Sequence, residues 1–507
     1  MHLFRTLPAM VASGVLVHRG VWVAPLRPGD VARATEMEAL AYPADEAATP
    51  EALAYRAEHA ASFFYGCYAT PRPAGTATGS GPGPLVPELV GYVCGTCVAG
   101  GGGGAVTAES MAAGGHVPDG ELLDVHSVVV TPDLQRRGLA TAMLRAYFAA
   151  VAADPACANV KTVGLLAKPK HVGLYANLGF HPHGESACDH GSETWWDMSA
   201  PLAVVAAPRY HVVDAFVTDA PFSGNPAAVM FVDSLRGRSD GADGAAWRQA
   251  CAAEMNLSET AFVWPSHGAP ENAAFSQGDA SPPTFSLCWY TPTVEVDLCG
   301  HATCASAHAL WFSGAVPGDK AIRFITKSGM LEASRSADGA VSLDFPADFP
   351  LPLEPEDANE DALKVAVAGG IGLAPDRIET VCRGVDDVLA LVSEDDFARL
   401  APDMGKLSAI ATRGVVVTAP GAAGGVDFVS RWFGPLVGVP EDPVTGSAHC
   451  LLAPFWLERL GVDRPLRARQ ASARGGDLTV RLSEDKRRVR LSGRAWATAA
   501  GRWLTGV

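Results

Sequence analysis

The sequence predicts two domains of mixed α and β structure in tandem, and the second of them is duplicated. With 507 residues, the chain is longer than a single hydrophobic core usually supports. In the first part of the chain strand-like runs alternate with helical stretches, whereas short β-branched runs separated by Gly and Pro fill the rest. Two Gly-containing loops, 297–302 and 441–448, each precede a helical segment and lie roughly 145 residues apart, which indicates a repeated half-domain.

Charge and composition exclude several classes of function. The net charge of −16 and the pI of about 5.3 argue against a polyanionic partner, and no Lys/Arg-rich run supplies the basic face that nucleic acid binding needs. No segment offers about 18 uninterrupted apolar residues, so a membrane-spanning helix is not expected. We therefore expect small molecules as partners, with no nucleic acid and no membrane, and leave homodimer formation open.

The cysteines and the N-terminal residues indicate whether the protein binds metal and in which cellular compartment it is expected. The 11 cysteines lack the paired spacing of a zinc site, which predicts reduced thiols in a cytoplasmic protein and no metal. The first 29 residues lack acidic groups and carry Arg5, Arg19 and Arg27, which weakly resembles an organelle-targeting segment. Ser13 is the one serine there and a strand-like run begins at Val21, so a cytoplasmic location is the preferred expectation.

Shifts in composition divide the chain. Two low-complexity inserts, 71–84 and 99–115, contain too few apolar residues to order themselves and are predicted to be surface loops. The apolar stretch 199–208 contains no motif and is the predicted domain boundary. We therefore expect a first domain at 20–200 and a second at 209–507, with halves at about 209–325 and 330–507.

A strand, a glycine-containing loop and a helix follow one another in the first domain. The apolar run 122–131 precedes the loop, and an Ala/Leu-rich stretch at 137–150 follows it. A helix N-terminus leaves backbone N–H groups unpaired, which attract an anion, and Gly138 lets a pyrophosphate approach the backbone. Without this context the pattern would indicate only a capped surface helix. The candidate binding residues are Gln135, Arg136, Arg137, Gly138, Leu139 and Ala140.

The loop resembles the acetyl-CoA loop of the GNAT acetyltransferases. Other segments are similar to one group of that family, the arylalkylamine (serotonin) N-acetyltransferases. These segments are Leu26-Arg27-Pro28, 41–47, 174–182 and 195–198. The resemblance covers about residues 20–200 apart from the inserts. It implies an α/β-type domain with a central mixed sheet flanked by helices, and acetyl-CoA as co-substrate, with Val128 and Val130 as further cofactor contacts.

The resemblance also implies residues for acetyl transfer. The amine must lose a proton, and the departing sulfur is helped by a proton donor. Tyr175 is implied as the donor and His126 as the proton acceptor, although each could be a structural core residue. The group places a second histidine two residues earlier, where this chain has Asp124. Asp124 could orient His126 or attract a cationic amine, and we expect the two side chains to pass the proton to water.

An early loop is predicted to contact the amine. Tyr42 and Pro43 could flank an aromatic ring, and Asp45 and Glu46 suit a cation, although a plain solvated loop would have the same composition. Tryptamine-like amines are the first expectation, while polyamines and other primary amines stay open.

Several short motifs occur in order in the second domain. They are 221–229, 256–263, 290–296, 299–303, 431–435, 441–449, 470–472 and 474–476. Together they resemble the PhzF-like branch of the phenazine-biosynthesis and diaminopimelate-epimerase superfamily over about residues 209–507. The resemblance implies a duplicated diaminopimelate-epimerase-like fold of two β-barrel-like halves, each around a central helix, with the active site in the cleft.

Glu259 is the predicted proton carrier of a cofactor-free isomerase or epimerase. A carboxyl group closed in an apolar cleft has its pKa raised toward the range where it can both give and take a proton. The resemblance implies His301, Asp442 and Ser447 as groups that position substrate and assist protonation. His301 and Asp442 could instead cap helices, and Glu259 could be a solvated carboxylate that ends a strand.

Two glycines at the helix starts complete the predicted site. Helices that begin near Gly300 and Gly446 would direct their N-termini into the cleft and favour a carboxylate substrate. Cys299 precedes the first of these turns, and paired cysteines transfer the proton in the related epimerases. The PhzF-like resemblance nevertheless assigns this role to Glu259.

The sequence as a whole predicts a bifunctional enzyme that N-acetylates a small arylalkylamine and isomerises or epimerises a small carboxylate. In one alternative, the second domain only binds ligand or dimerises and carries an acetyltransferase. In others, the acetyltransferase acts on polyamines, or the first domain senses acetyl-CoA without transferring it.

Overall fold

A computed structural model of the chain describes residues 15–18, 21–69, 87–99, 106–188, 190–232, 242–266, 282–351, 360–421 and 425–504. The predicted insert 71–84 lies outside the described residues, as do residues 100–105 of the second insert and residues 1–14. The described chain forms two β-sheets, and a hydrophobic core lies against each of them.

The first sheet is formed by β1 (Val15–His18), β2 (Val21–Pro25), β3 (Phe64–Ala69), β4 (Glu88–Val98), β5 (Leu122–Val130), β6 (Thr162–Ala167), β7 (His181–Glu185) and β8 (Trp196–Pro201). Its helices are α1 (Val31–Ala41), α2 (Pro50–His59), α3 (Ala108–Met111), α4 (Leu139–Ala153), α5 (Val172–Asn177) and α6 (Leu202–Val205). The strand order is β1-β2-β3-β4-β5-β6-β8-β7, and β5–β6 is the parallel pair of an otherwise antiparallel sheet.

Strands β5 and β6 separate halfway along their length. β5 pairs with β6 over Leu122–Val125 but continues to pair with β4 as far as Val130. Within the described ranges, residues 126–130 therefore have no neighbouring strand on the β6 side. Backbone groups that lack a strand partner must find other partners, and here the Tyr42 hydroxyl contacts the backbone of Val128 while Gln135 donates to the Val130 carbonyl. This gap lies beside the loop that leads into α4.

The prediction of a surface loop at 99–115 was wrong for residues 106–115, which are ordered. Thr107 and Ser110 form a capping box at the start of α3. Val106 and Ser110 are buried, and the Met111 carbonyl accepts a 2.7 Å hydrogen bond from Arg56. Composition missed this turn because contacts with β4 and α2 stabilise it, not apolar surface of its own.

The predicted boundary segment 199–208 is also structured. Its first residues complete β8, and α6 follows directly. Leu202 and Val205 are buried in the core of the first sheet because they pack beneath α4. The segment therefore contributes to the first core before the chain enters the second sheet.

The second sheet begins with β9 (Arg209–Val217), β10 (Asn225–Phe231), β11 (Glu259–Pro265), β12 (Thr284–Tyr290), β13 (Glu295–Val296), β14 (Ile322–Thr326), β15 (Gly329–Arg335) and β16 (Val341–Pro346). It continues with β17 (Ile378–Arg383), β18 (Asp387–Val392), β19 (Gly414–Pro420), β20 (Phe428–Gly434), β21 (Val439–Asp442), β22 (Leu466–Gln470), β23 (Gly476–Leu482) and β24 (Arg488–Arg502). The helices are α7 (Ala242–Met255), α8 (Gly300–Phe312), α9 (Glu360–Ile371), α10 (Glu394–Phe397), α11 (Met404–Leu407) and α12 (Gly446–Leu460).

The order of strand pairing repeats within this sheet. β9 to β12 and then β14 are joined by antiparallel, parallel, antiparallel and parallel contacts, and β17 to β20 and then β22 follow the same sequence. In each series a short strand, β13 or β21, immediately precedes a long helix, α8 or α12. A repeated pairing order of this kind is the structural counterpart of the repeated loops in the sequence.

One part of the second sheet closes on itself. Strand β16 pairs with β24, which completes a ring of β16, β15, β14, β12, β11, β10, β9 and β24. Helix α8 lies against this ring, and all its residues except His308 and Phe312 are buried. A helix buried on nearly every side requires small side chains, and α8 is rich in alanine. No helix in the described chain is both long and apolar enough to cross a membrane.

Candidate active sites

The N-termini of α8 and α12 meet at their first residues. A Cβ atom added to Gly300 would lie 3.1 Å from Cα of Gly446, and one added to Gly446 would lie 3.2 Å from Cα of Gly300. A side chain at either position would force the neighbouring helix end to shift, so glycine at both positions favours this approach. Both helix ends carry partial positive charge, so anionic groups placed beside the junction are stabilised. The structure thus brings together the two glycines that the sequence predicted to face each other.

Glu259 and His301 form a close pair beside this junction. His301 Nε2 lies 3.1 Å from Glu259 Oε2, and the Glu259 side chain is 16% exposed. His301 Nδ1 lies 3.5 Å from the Sγ atom of Cys299. Burial opposes charge on the imidazole, but Cys299 and Glu259 together hold the pKa of His301 well above its ordinary value. Glu259 thus faces the imidazole of His301 instead of the purely apolar cleft that the sequence suggested.

Asn225 connects the two halves of this site and was missed as a functional residue by sequence reasoning. Its Nδ2 atom donates to Asp442 Oδ1 at 2.8 Å and to the Val444 carbonyl at 3.0 Å, and lies 3.2 Å from His301 Nδ1. Asn225 is fully buried. The Asn225 side chain, at the start of β10, therefore holds Asp442 of β21 beside His301 of α8.

Asp442 is a buried acid on the α12 side. Burial raises its pKa, while hydrogen bonds from Thr445 and Asn225 oppose that rise. Thr445 Oγ1 donates to Asp442 Oδ2 at 2.5 Å, and Gln470 donates to the Asp442 carbonyl at 2.7 Å. Ser447, the second residue of α12, accepts hydrogen bonds from Arg413. All four predicted catalytic side chains, Glu259, His301, Asp442 and Ser447, therefore lie around the same helix junction.

Glu259, Cys299 and His301 also place one potential metal-ligand atom each within 4.8 Å of one another. The sequence predicted no metal here. Because three such donors can bind Zn²⁺ with an open fourth position, experiments on this site need a metal-removal control.

The first sheet contains a cavity of about 250 Å³ beside β5. His126, Tyr42 and Trp195 contribute to its wall, as do Asp45 and Glu46. The remaining lining residues are Glu38, Ala47, Ala48, Thr49, Ala52, Arg56, Met111, Ala112, Ala113, Ser127 and His190. Pro43 is exposed outside this wall.

Hydrogen bonding fixes the tautomer of His126. Its Nε2 atom lies 2.7 Å from Thr96 Oγ1, and Thr96 donates its own proton to the Ser110 carbonyl at 3.1 Å. Thr96 must therefore accept from Nε2–H, which leaves Nδ1 as a buried acceptor that has no hydrogen-bond partner among the described residues. Burial lowers the pKa of His126 well below its ordinary value, and Arg56 and His190 add to this effect. The ring is thus a neutral base.

Asp124 lies elsewhere than the sequence suggested. It lines a second cavity, of about 280 Å³, instead of the cavity that contains His126. Burial raises its pKa to about 6. Asp124 is the cross-strand partner of Thr96 in the pairing of β4 with β5.

The acidic residues around the cavity that contains His126 already have partners. Lys168 Nζ lies 2.7 Å from Glu46 Oε2, and Asp45 accepts a 3.1 Å hydrogen bond from the backbone of Ser192. Glu38, on α1, is a buried carboxylate that the sequence did not single out. It accepts from Ser127 Oγ at 2.8 Å, from the Ala48 amide at 3.0 Å and from the Tyr92 hydroxyl. No spacing signal marks it, because its partners come from distant strands.

The predicted cofactor loop opens α4 next to the separated strands. Gly138 caps the helix with φ of 79°, and no side chain caps the helix amides that follow it. Arg136 also has a positive φ, and residues 135–138 are exposed, whereas Leu139 is buried in the core and Ala140 is half-buried. Gln135 Nε2 donates to the Val130 carbonyl at 2.9 Å. The free amides and their dipole suit a pyrophosphate.

Two tyrosines, Tyr42 in the cavity wall and Tyr175 on α5, are close enough for Tyr175 to influence the ionisation of Tyr42. The Tyr42 hydroxyl lies 3.3 Å from both the amide and the carbonyl of Val128. Burial raises the pKa of Tyr42, and the nearby Tyr175 adds to this rise. Burial alone raises the pKa of Tyr175 to about 12. Tyr175 therefore keeps its proton across the physiological range.

The model of a protein family described as phenazine biosynthesis-like, PhzC-PhzF, matches residues 213–501. The chain belongs to this family. A second family model, that of the acetyltransferase (GNAT) domain, matches residues 106–200. The chain therefore joins a GNAT domain to a PhzF-like isomerase domain, as the sequence predicted at this level.

Individual proteins are similar to the second part of the chain. An uncharacterized isomerase of Halalkalibacterium halodurans is 42% identical over 292 residues, which are 58% of this chain and 96% of the relative. An uncharacterized isomerase of Pseudomonas aeruginosa is 41% identical over 300 residues, with 58% and 97% covered. The crystal structure of a PhzF-family protein of Enterococcus faecalis is 34% identical, covers 59% of this chain and 99% of its own, and has a TM-score of 0.47.

The GNAT loop gives a direct test of the helix-end geometry. Gly138→Ala places a side chain at φ of 79°, which costs about 1–2 kcal/mol, so the loop should relax and turn its amides away from an anion. We expect the Kd for coenzyme A, measured by calorimetry, to rise about tenfold. Gly29→Ala, at an exposed glycine with open space around it, is the matched control. Equal affinities in both variants would contradict an anion site at α4.

Proposed function

We propose that the chain is a bifunctional enzyme. The PhzF-like domain moves a proton between carbon atoms of a small carboxylate, and the GNAT domain transfers an acetyl group from acetyl-CoA to a small arylalkylamine. The observation that carries the first activity is the Glu259–His301 pair at the junction of two helix N-termini. The observation that carries the second is the unpartnered Nδ1 atom of His126 in a cavity that adjoins the separated strands.

In the PhzF-like site, Glu259 takes a proton from a carbon atom of the substrate. The electron pair left on that carbon spreads toward the neighbouring carboxylate, whose oxygens are stabilised by the amides of α8 and α12. His301 holds the Glu259 carboxyl in place, and the captured proton returns to another carbon or to the opposite face. Asp442 stabilises the cationic His301 from the other half. This scheme uses the chain's own residues for each proton transfer.

In the GNAT site, the amine attacks the thioester carbonyl of acetyl-CoA and loses its proton to His126 Nδ1. The Tyr175 hydroxyl donates to the departing sulfur, and thiol is released. Trp195 and Tyr42 give the cavity aromatic walls, which favours a tryptamine-like amine over a polyamine. The GNAT-fold expectation of acetyl-CoA as co-substrate agrees with the exposed amides at Gly138.

Solvent exchange tests the PhzF-like activity. Wild-type protein incubated with a library of small carboxylates in heavy water should place deuterium in one of them, detected by mass spectrometry. Glu259→Gln should lower this incorporation at least a hundredfold, because the amide cannot carry the proton. Glu254→Gln, at an exposed position of α7, should behave as wild type, and EDTA should have no effect. Retained exchange in Glu259→Gln would falsify the assignment, and ligand binding without exchange in wild type would indicate a binding module.

The pH dependence of acetylation tests the GNAT residues. His126 must be unprotonated to act as the base, and its pKa is lowered. Tyr175 must be protonated to act as the donor, and its pKa is about 12. Titration of these two groups should therefore leave the wild-type rate unchanged between about pH 7 and 11. With tryptamine as substrate, we expect His126→Ala to lower kcat about a hundredfold and Tyr175→Phe to lower it at least tenfold. His181→Ala, an exposed histidine of β7, is the control. If the pH–rate profiles and the rates are unaltered in both variants, His126 is not the base and Tyr175 is not the proton donor.

A further inference from the structure

Arg413, directly before β19, connects a buried acid to the first turn of α12. Its Nε atom donates to Asp387 Oδ1 at 3.0 Å, and a second bond joins the guanidinium to Asp387 Oδ2. Asp387 is 3% exposed and also accepts a 3.1 Å hydrogen bond from Trp432 Nε1. The guanidinium lies above the Trp432 ring, 5.4 Å from its centroid. Its orientation is therefore fixed from two sides.

The free end of this guanidinium contacts Ser447. Both terminal nitrogens, NH1 and NH2, lie 3.1 Å from Ser447 Oγ. A serine oxygen has two lone pairs and one proton, and arginine donates but never accepts. Two N–H donors occupy the lone pairs, so the Ser447 hydroxyl can act toward a third group only as a donor. Because Ser447 is the second residue of α12, this donor stands beside the free amides of the helix end.

The charge of Arg413 is matched by that of Asp387. Recognition at this end of the cleft thus depends on the direction of the donors more than on net charge. A planar carboxylate, with acceptors on both oxygens, can accept from the hydroxyl and from a helix amide together. A primary amide of the same shape would present one N–H₂ group to these donors, where it finds no acceptor.

We infer that Arg413 fixes Ser447 as an obligate hydrogen-bond donor and thereby selects substrates whose carboxylate binds at the first turn of α12. Arg413 is a positioning residue, since it acts through Ser447 and not through contact with the substrate. This inference rests on the proposed activity of the PhzF-like domain toward small carboxylates, and it assigns to Ser447 one of the hydrogen bonds that hold the carboxylate next to the reacting carbon. Glu259, from the other half, transfers the proton.

The test compares benzoate with benzamide as isosteric probes, by calorimetry on the full chain. Wild type should bind benzoate more tightly. Ser447→Ala removes the donor, and Arg413→Lys keeps a positive charge but loses the planar fork that occupies both lone pairs. Each should weaken benzoate binding about tenfold and leave benzamide binding within about twofold. The double variant should lose no more than either single one, because the two residues act as a unit.

Arg464→Lys is the matched control, since Arg464 pairs with Asp427 at an exposed position. It should bind both probes as wild type does. Wild type without preference for benzoate, unchanged benzoate binding in Ser447→Ala, or additive losses in the double variant would each overturn the inference. Preference for benzoate that depends on Arg413, in a chain that exchanges no deuterium, would refute the isomerase activity and leave this inference standing.

Discussion

The PhzF-like site depends on one close contact, the meeting of α8 and α12 at Gly300 and Gly446. Two helix N-termini carry the same partial charge, so anionic groups placed beside their contact stabilise it. Asp442 and Glu259 are acidic residues near this contact, one from each half, and the carboxylate of the proposed substrate would also be stabilised there. The absence of a side chain at both first positions permits the approach. In the proposed function, carboxylate binding therefore depends on the same helix contact that the two glycines permit.

The repeated strand pairing explains how this contact arises. In each series a short strand at the same position directly precedes the helix: β13 precedes α8, and β21 precedes α12. The predicted catalytic residues are then divided: Glu259 and His301 come from one series, Asp442 and Ser447 from the other. Asn225 joins them by hydrogen bonds across 217 residues of sequence. Neither series alone contains a complete site.

The sequence predicted the parts of this architecture that are local. The Gly loops and the helices that follow them near Gly138, Gly300 and Gly446 were anticipated, and the ends of the helix predicted at 137–150 differ from Leu139–Ala153 by two and three residues, because caps and periodicity are short-range signals. Thr96, Glu38 and Arg413 were not anticipated, since their roles come from partners on distant strands. The placement of Asp124 in a separate cavity was missed for the same reason. Side-chain direction on a bulged strand such as β5 is not visible in residue spacing.

The most direct measurement is solvent deuterium incorporation by Gly446→Ala. The added methyl group would meet Cα of Gly300 at 3.2 Å, so the two helix ends must move apart while the catalytic side chains remain present. The account predicts at least a tenfold loss of exchange, unchanged acetylation of tryptamine, and wild-type exchange in Gly369→Ala, whose methyl group has open space. Wild-type exchange in Gly446→Ala would show that the helix junction does not support the chemistry.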